Sequence, residues 1–156
     1  MNKFLITSCI NRQLSRDFIS HCQDVFAFRE SSIQIILNEV NDFVIDDFLF
    51  IYKFIGHLKE NSVVVHIHAT GILDVAAFIF YLNGSVRSME SNSKFMLNNK
   101  LDSLLDLYDE YDHIRLNDII TNTGRVIAMD SFLSMHDKIT ACAALELGIS
   151  DMVTNY

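Results

Sequence analysis

The chain has 156 residues, 50% of them hydrophobic and 21% charged, which suits one buried core and excludes disorder. A formal net charge of −8 and a pI near 5.0 repel a phosphate backbone, and no Lys/Arg cluster overrides that balance, so nucleic acid is excluded as a partner. The mean hydropathy of +0.22 is high for so short a monomer and predicts that apolar surface is hidden between subunits, as in a homo-oligomer.

Lys3–Ser8 alternates enough to predict a short strand. Ser15 is the expected N-cap of a helix over Arg16–Phe28, where Phe18, Ile19, Cys22, Val25 and Phe26 recur at helical spacing. Ser32–Asn38 is β-branched and apolar, the mark of a buried strand. Val44–Lys59 carries Phe48, Ile51, Tyr52, Ile55 and Leu58 on one stripe, with Asp46 and Asp47 in the first turn to complement the helix dipole. Ser62–Ala69 is the next strand and Ile72–Leu82 the next helix, closed by Asn83-Gly84. Extended pieces follow at Val86–Glu90 and Lys94–Asn98. Leu101–Asn122 reads as a long acidic amphipathic helix, Val126–Met135 and Thr140–Leu147 as short ones, and Gly148 as a C-cap before Ile149–Val153. Strand–helix alternation repeated three times implies parallel strands, and the absence of proline and of any linker-like stretch implies one domain over residues 1–156.

Cys9, Cys22 and Cys142 are odd in number and lack CxxC spacing, so they read as reduced, small apolar residues of a cytoplasmic protein. The opening MNKFLITSC is too short in apolar residues for a signal peptide. Val63–Leu82 is the longest apolar run, but Asp74 within it would cost roughly 3 kcal/mol on insertion scales, which argues against a membrane span.

Four stretches in this order resemble the proteolytic subunit of the Clp protease family and, more broadly, the spiral shared with crotonases. They are Ile35–Ile55, Val63–Arg87, Ser91–Asn99 (SNSKFMLNN, with Asn92, Ser93, Met96 and Leu97 in register) and Asp137–Val153. The resemblance implies an α/β fold of the ClpP/crotonase-like kind, a repeated β-β-α spiral with parallel strands and a C-terminal helical part. It also implies a self-associating subunit, with a Clp-type protease relative as a further partner, and no cofactor.

The departures bear on activity. The family's nucleophilic serine stands at the start of the apolar helix, where this chain has Leu73, Asp74 or Val75, none with a hydroxyl or thiol. The family's histidine follows Met-Ile; here Met96-Leu97 is followed by Asn98, and an amide takes no proton from a nucleophile at neutral pH. Asp137, or His136 beside it, is the candidate for the third member of the triad. The family's Gly-Gly turn, which offers N–H groups to an oxyanion, falls on Val40-Asn41-Asp42-Phe43, where Asp42 adds a charge of the wrong sign. The degenerate pocket is therefore expected at Asn41, Asp42, Leu73, Asp74, Val75, Asn98, His136 and Asp137. Residues 99–123 look shorter than the family's ring-to-ring handle, and the chain starts directly at its first strand, without the loops that contact the ATPase.

His66 and His68 put two rings on one face of a strand. A metal would need a third ligand, for which Asp42 or His136 is available; the plainer reading is hydrogen bonding in the sheet or at a subunit contact. Thr70 and Ser85 are the hydroxyls nearest the lost nucleophile. The acidic helix is the expected oligomer contact, through Leu104, Tyr108 and Tyr111. The leading expectation is a pseudoprotease that acts as a scaffold or modulator. The alternative is a hydrolase or acyl-thioester enzyme reusing Asp74, His68, Asn98 and His136.

Overall fold

The computed structural model describes residues 2–97 and 137–155. In chain order the elements are β1 (Asn2–Ile10), α1 (Arg12–Ala27), β2 (Ser32–Phe43), α2 (Ile45–Glu60), β3 (Val64–Thr70), β4 (Ile72–Leu73), α3 (Val75–Leu82), β5 (Val86–Glu90), β6 (Lys94–Met96), β7 (Lys138–Thr140), α4 (Ala141–Leu147) and β8 (Met152–Thr154). β1-β2-β3-β5-β8 form a sheet in that order, every neighbour parallel, as strands joined through helices require. β4-β6-β7 form a second, smaller sheet, parallel between β4 and β6 and antiparallel between β6 and β7. The fold is α/β, as expected.

Alternation along the strands decides what each face does. Ile33, Ile35 and Leu37 of β2, Val65, Ile67 and Ala69 of β3, and Met89 of β5 are buried on one face. Phe4 of β1 meets Phe18 of α1 edge-on at 5.3 Å, and the α2 stripe Phe48, Ile51, Tyr52, Ile55 and Leu58 is buried as its spacing predicts. α3 is apolar on nearly every side because it lies between the sheets, with Phe78 and Tyr81 packed on Phe95 of β6. Burial pushes the Tyr81 phenol up, and its hydroxyl donates to Ser150 Oγ at 3.1 Å. No helix among the described residues is long and apolar enough to cross a membrane.

Helix α1 begins four residues before the predicted start. Asn11, not Ser15, is the N-cap, its side-chain oxygen accepting from the Leu14 N–H at 3.0 Å. The Ser15 hydroxyl is instead buried in the first turn, 3.0 Å from the Arg12 carbonyl and 3.1 Å from Asp47 Oδ1, and so links α1 to α2. α1 and α2 are each followed by a residue in the left-handed region, Arg29 (φ 52°) after α1 and Ser62 (φ 62°) after α2. The Glu30 N–H closes back on the Val25 carbonyl at 2.9 Å, and the Val63 N–H on the Leu58 carbonyl at 3.0 Å, satisfying terminal carbonyls. Ser62 therefore belongs to the turn, and β3 starts two residues later than predicted. The Thr140 N-cap and the left-handed Gly148 (φ 80°) frame α4 where the sequence predicts a short helix. The predicted helices at 101–122 and 126–135 lie outside the described residues.

The last strand is clasped to the sheet through Arg87. Its Nε donates to the Ile149 carbonyl at 2.7 Å, Nη1 to the Gly84 carbonyl at 2.9 Å, and Nη2 lies 3.6 Å from the Asp151 carboxylate. The Arg87 N–H donates to Asp151 Oδ2 at 2.7 Å, and the Asp151 N–H returns to the Arg87 carbonyl at 2.8 Å. One planar guanidinium thus satisfies carbonyls from two turns.

Candidate functional site

The helix predicted over 72–82 starts only at Val75. Ile72 and Leu73 pair with Lys94 and Phe95, which commits them to β4. Asp74 is left as the N-cap of α3 (φ −87°, ψ −177°), with Oδ1 accepting from the Ala77 N–H at 2.9 Å. Its backbone N–H donates to the Val40 carbonyl at 2.8 Å. Leu73 is 1% exposed and Val75 is fully buried. Of the three positions expected at the nucleophile, two are core residues and the third holds the end of a helix.

Val40–Phe43, expected as a turn, is strand: β2 runs on to Phe43, with Asp42 opposite Cys9 and Phe43 opposite Ile10. The pairing absorbs an irregularity between Thr7 and Cys9, where Ser8 (φ 66°) on β1 and Glu39 (φ 52°) on β2 both adopt left-handed backbone. The left-handed residue thus sits at Glu39, one position before Val40–Phe43, where the resemblance puts the turn. No signal in the sequence marks it, because glutamate has no preference for that region. The Glu39 side chain lies over Gly71 (φ 84°), in the space that a Cβ there would occupy. Asn41 and Asp42 are exposed on the strand, and Asp42 Oδ1 accepts from the Phe43 N–H at 2.9 Å.

The small sheet gathers the rest. The Leu97 N–H donates to the Asp137 carbonyl at 2.7 Å, so Asp137 stands beside the Met96-Leu97 stretch. Ser93 is buried and its hydroxyl accepts from the Gly71 N–H at 2.9 Å, which ties β6 to the entry of α3. The structure therefore brings Val40 to Asp74, Leu73 to Phe95, and Asp137 to Leu97. Asn98 and His136 lie outside the described residues, as do Leu104, Tyr108 and Tyr111.

His66 and His68 do share a face of β3. Neither turns to Asp42: His66 Nε2 is 2.8 Å and His68 Nδ1 2.7 Å from the hydroxyl of Ser88 on β5. Burial pushes both imidazoles below the ordinary histidine value; for His66 the neighbouring His68 adds to this while Asp151 opposes it, and for His68 Glu90 opposes it. Among the described residues no group of three or more His, Cys, Asp or Glu converges as a metal site. The Thr70 hydroxyl donates to Glu90 Oε2 at 2.7 Å, and the Ser85 hydroxyl accepts from the Val65 N–H at 3.2 Å. Both hydroxyls are spent on joining β3 to its neighbours. Sequence reasoning missed Ser88, since nothing local ties it to histidines twenty residues earlier. No disulfide joins the cysteines; Cys22 is buried, with its thiol pushed up to about 12 by burial, whereas Cys142 is exposed rather than packed.

No protein-family model matches the chain, and no curated protein sequence matches it. Solved structures do. The ClpP protease catalytic domain from Plasmodium falciparum superposes with a TM-score of 0.77 at 16% identity, over 99% of this chain and 86% of that one. The ClpP1 N165D mutant from Listeria monocytogenes gives 0.73 at 18%, over 99% and 92%. The chain has the ClpP fold. The resemblance read from four short stretches is thus a resemblance of architecture.

Within that ClpP-like fold the chemistry of the α3 entry is limited by what its groups already do. An oxyanion hole needs N–H donors aimed at open space. The Asp74 N–H is aimed at the Val40 carbonyl, and the Asp74 carboxylate brings negative charge to the same place.

Proposed function

We propose that the chain is a catalytically degenerate Clp-protease-like subunit, a self-associating scaffold or a modulator of an active relative. The observation that carries this reading is the use of Asp74. Its carboxylate caps α3 and its N–H closes on Val40, while Leu73 and Val75 beside it are buried. A position that would hold an activated hydroxyl is committed to holding the helix. The mean hydropathy of +0.22 supports self-association, and exposed Leu5, Val64 and Met152 on the outer face of the main sheet supply apolar surface for it.

Fluorophosphonate and β-lactone probes test the catalytic half. The expected result is no labelling of the natural protein, and stoichiometric labelling at any residue between 70 and 98 overturns it. Light scattering at micromolar concentration tests the other half. A closed homo-oligomer is expected, and a 17.9 kDa monomer across that range refutes it.

A further inference from the structure

The outer face of the main sheet carries a polar cluster that the proposed function leaves unused. Registers place Gln34 of β2 opposite His66 and Ile36 opposite His68, while His68 in turn pairs with Ser88 and Ser88 with Met152. At the centre, Ser88 is 2% exposed and its hydroxyl meets one nitrogen from each imidazole. A hydroxyl has one proton to give. With both rings neutral, the buried Ser88 proton finds an imidazole acceptor only when one ring donates its N–H to Ser88 Oγ and the other accepts the hydroxyl proton. The two rings are therefore held in complementary tautomers.

Adding protons tests this arrangement in two steps. The first can enter the donor ring at its far nitrogen and leave both hydrogen bonds intact. The second must enter the acceptor ring at the nitrogen facing Ser88. Both rings then donate to one oxygen, two cations face each other across it, and the buried hydroxyl proton loses its acceptor.

We propose that His66, His68 and Ser88 form a proton-operated clasp between β3 and β5, closed until both rings are cationic and released by the second proton. Among the described residues the charged groups bearing on it are Asp151 toward His66 and Glu90 toward His68, which favour proton uptake. β2 presents uncharged Gln34 and Ile36, and Lys3 shares the face from β1, two strands away. Release at β5 is passed to the C-terminal strand, because Ser88 pairs with Met152 and its neighbour Arg87 holds Ile149 and Asp151.

Imidazole nitrogen NMR on the intact chain is the test. At pH 7.5 one and only one of His66 Nε2 and His68 Nδ1 carries a proton, and on acidification the two rings titrate in separate steps. Amide exchange across Val86–Glu90, corrected for the intrinsic pH effect, then rises about tenfold after the second step, the worth of one hydrogen bond. Ser88→Ala shows the faster exchange already at neutral pH. Matching protonation at the two facing nitrogens, a single common titration step, or exchange that follows only the intrinsic rate overturns the proposal. The first two readouts use the natural protein and stand even if Ser88→Ala does not fold.

Discussion

Replacing Asp74 by alanine and by serine separates its work in the fold from any work in chemistry. Alanine removes the oxygen that accepts from the Ala77 N–H at 2.9 Å. Loss of such a cap costs about 1 kcal/mol, and loss of the carboxylate from the first turn of α3 adds about 0.5 kcal/mol. The expected total of about 1.5 kcal/mol corresponds to a Tm lower by about 4 °C for a chain of this size. Serine caps as well as aspartate, so Asp74→Ser forgoes only the charge and costs about 0.5 kcal/mol. The backbone bond from residue 74 to the Val40 carbonyl is common to all three proteins. Urea titration with a shared m-value gives the differences directly. Asp74→Ser also installs a hydroxyl at one of the three positions, 73 to 75, where the resemblance puts a nucleophile, and a fluorophosphonate is expected to leave it unlabelled because the asparagine expected in place of the base, Asn98, takes no proton. An alanine variant within 0.3 kcal/mol of the natural protein, or a serine variant as unstable as the alanine one, refutes the reasoning.

Other outcomes follow from single features. His66 and His68 have folded pKa values below the unfolded value of about 6.5, so the unfolded chain binds protons first. Their contribution to stability is complete above about pH 6.5 and declines as pH falls below it, which urea midpoints from pH 8 to pH 5 measure; a midpoint rising toward acid contradicts it. Arg87→Ala strips the carbonyls of Gly84 and Ile149 of a buried donor and is expected to cost about 3 kcal/mol, with faster proteolysis after Gly148. Ser62→Gly relieves a left-handed residue and, after the entropy cost of glycine, raises stability by about 0.5 kcal/mol, read from the urea midpoint. Cys142 reacts with a thiol reagent in the native protein, whereas Cys22 reacts only on unfolding, as timed labelling with mass mapping shows.

The helical stripes of α1 and α2 and the β-branched runs of β2 and β3 were legible because each is a local pattern with a fixed period. What escaped was decided between distant segments. Ser15 resembles a cap as much as Asn11 does, and only the approach of Asp47 from α2 turns its hydroxyl inward. The passage of β2 through Val40–Phe43 depends on Ser8 and Glu39 bending together, and neither residue announces a left-handed backbone. At the site, the missing hydroxyl at 73–75 was readable from residue types alone. That Asp74 is the cap became visible only once Ile72 and Leu73 were paired with β6.

The joining of β8 to β5 has a consequence for how the chain is made. Ser88 and Glu90 find their partners in Met152 and Thr154. At 5–20 residues per second, roughly 3 to 12 seconds separate the synthesis of the two strands. Through that interval β5 is the outermost strand of a nascent sheet, with an unpaired row of N–H and C=O groups open to any other extended chain. The Arg87 guanidinium likewise waits for the Ile149 carbonyl and the Asp151 carboxylate. Neighbouring nascent chains on one message would meet at that edge, so crowded translation is where this protein is most exposed to pairing with the wrong strand.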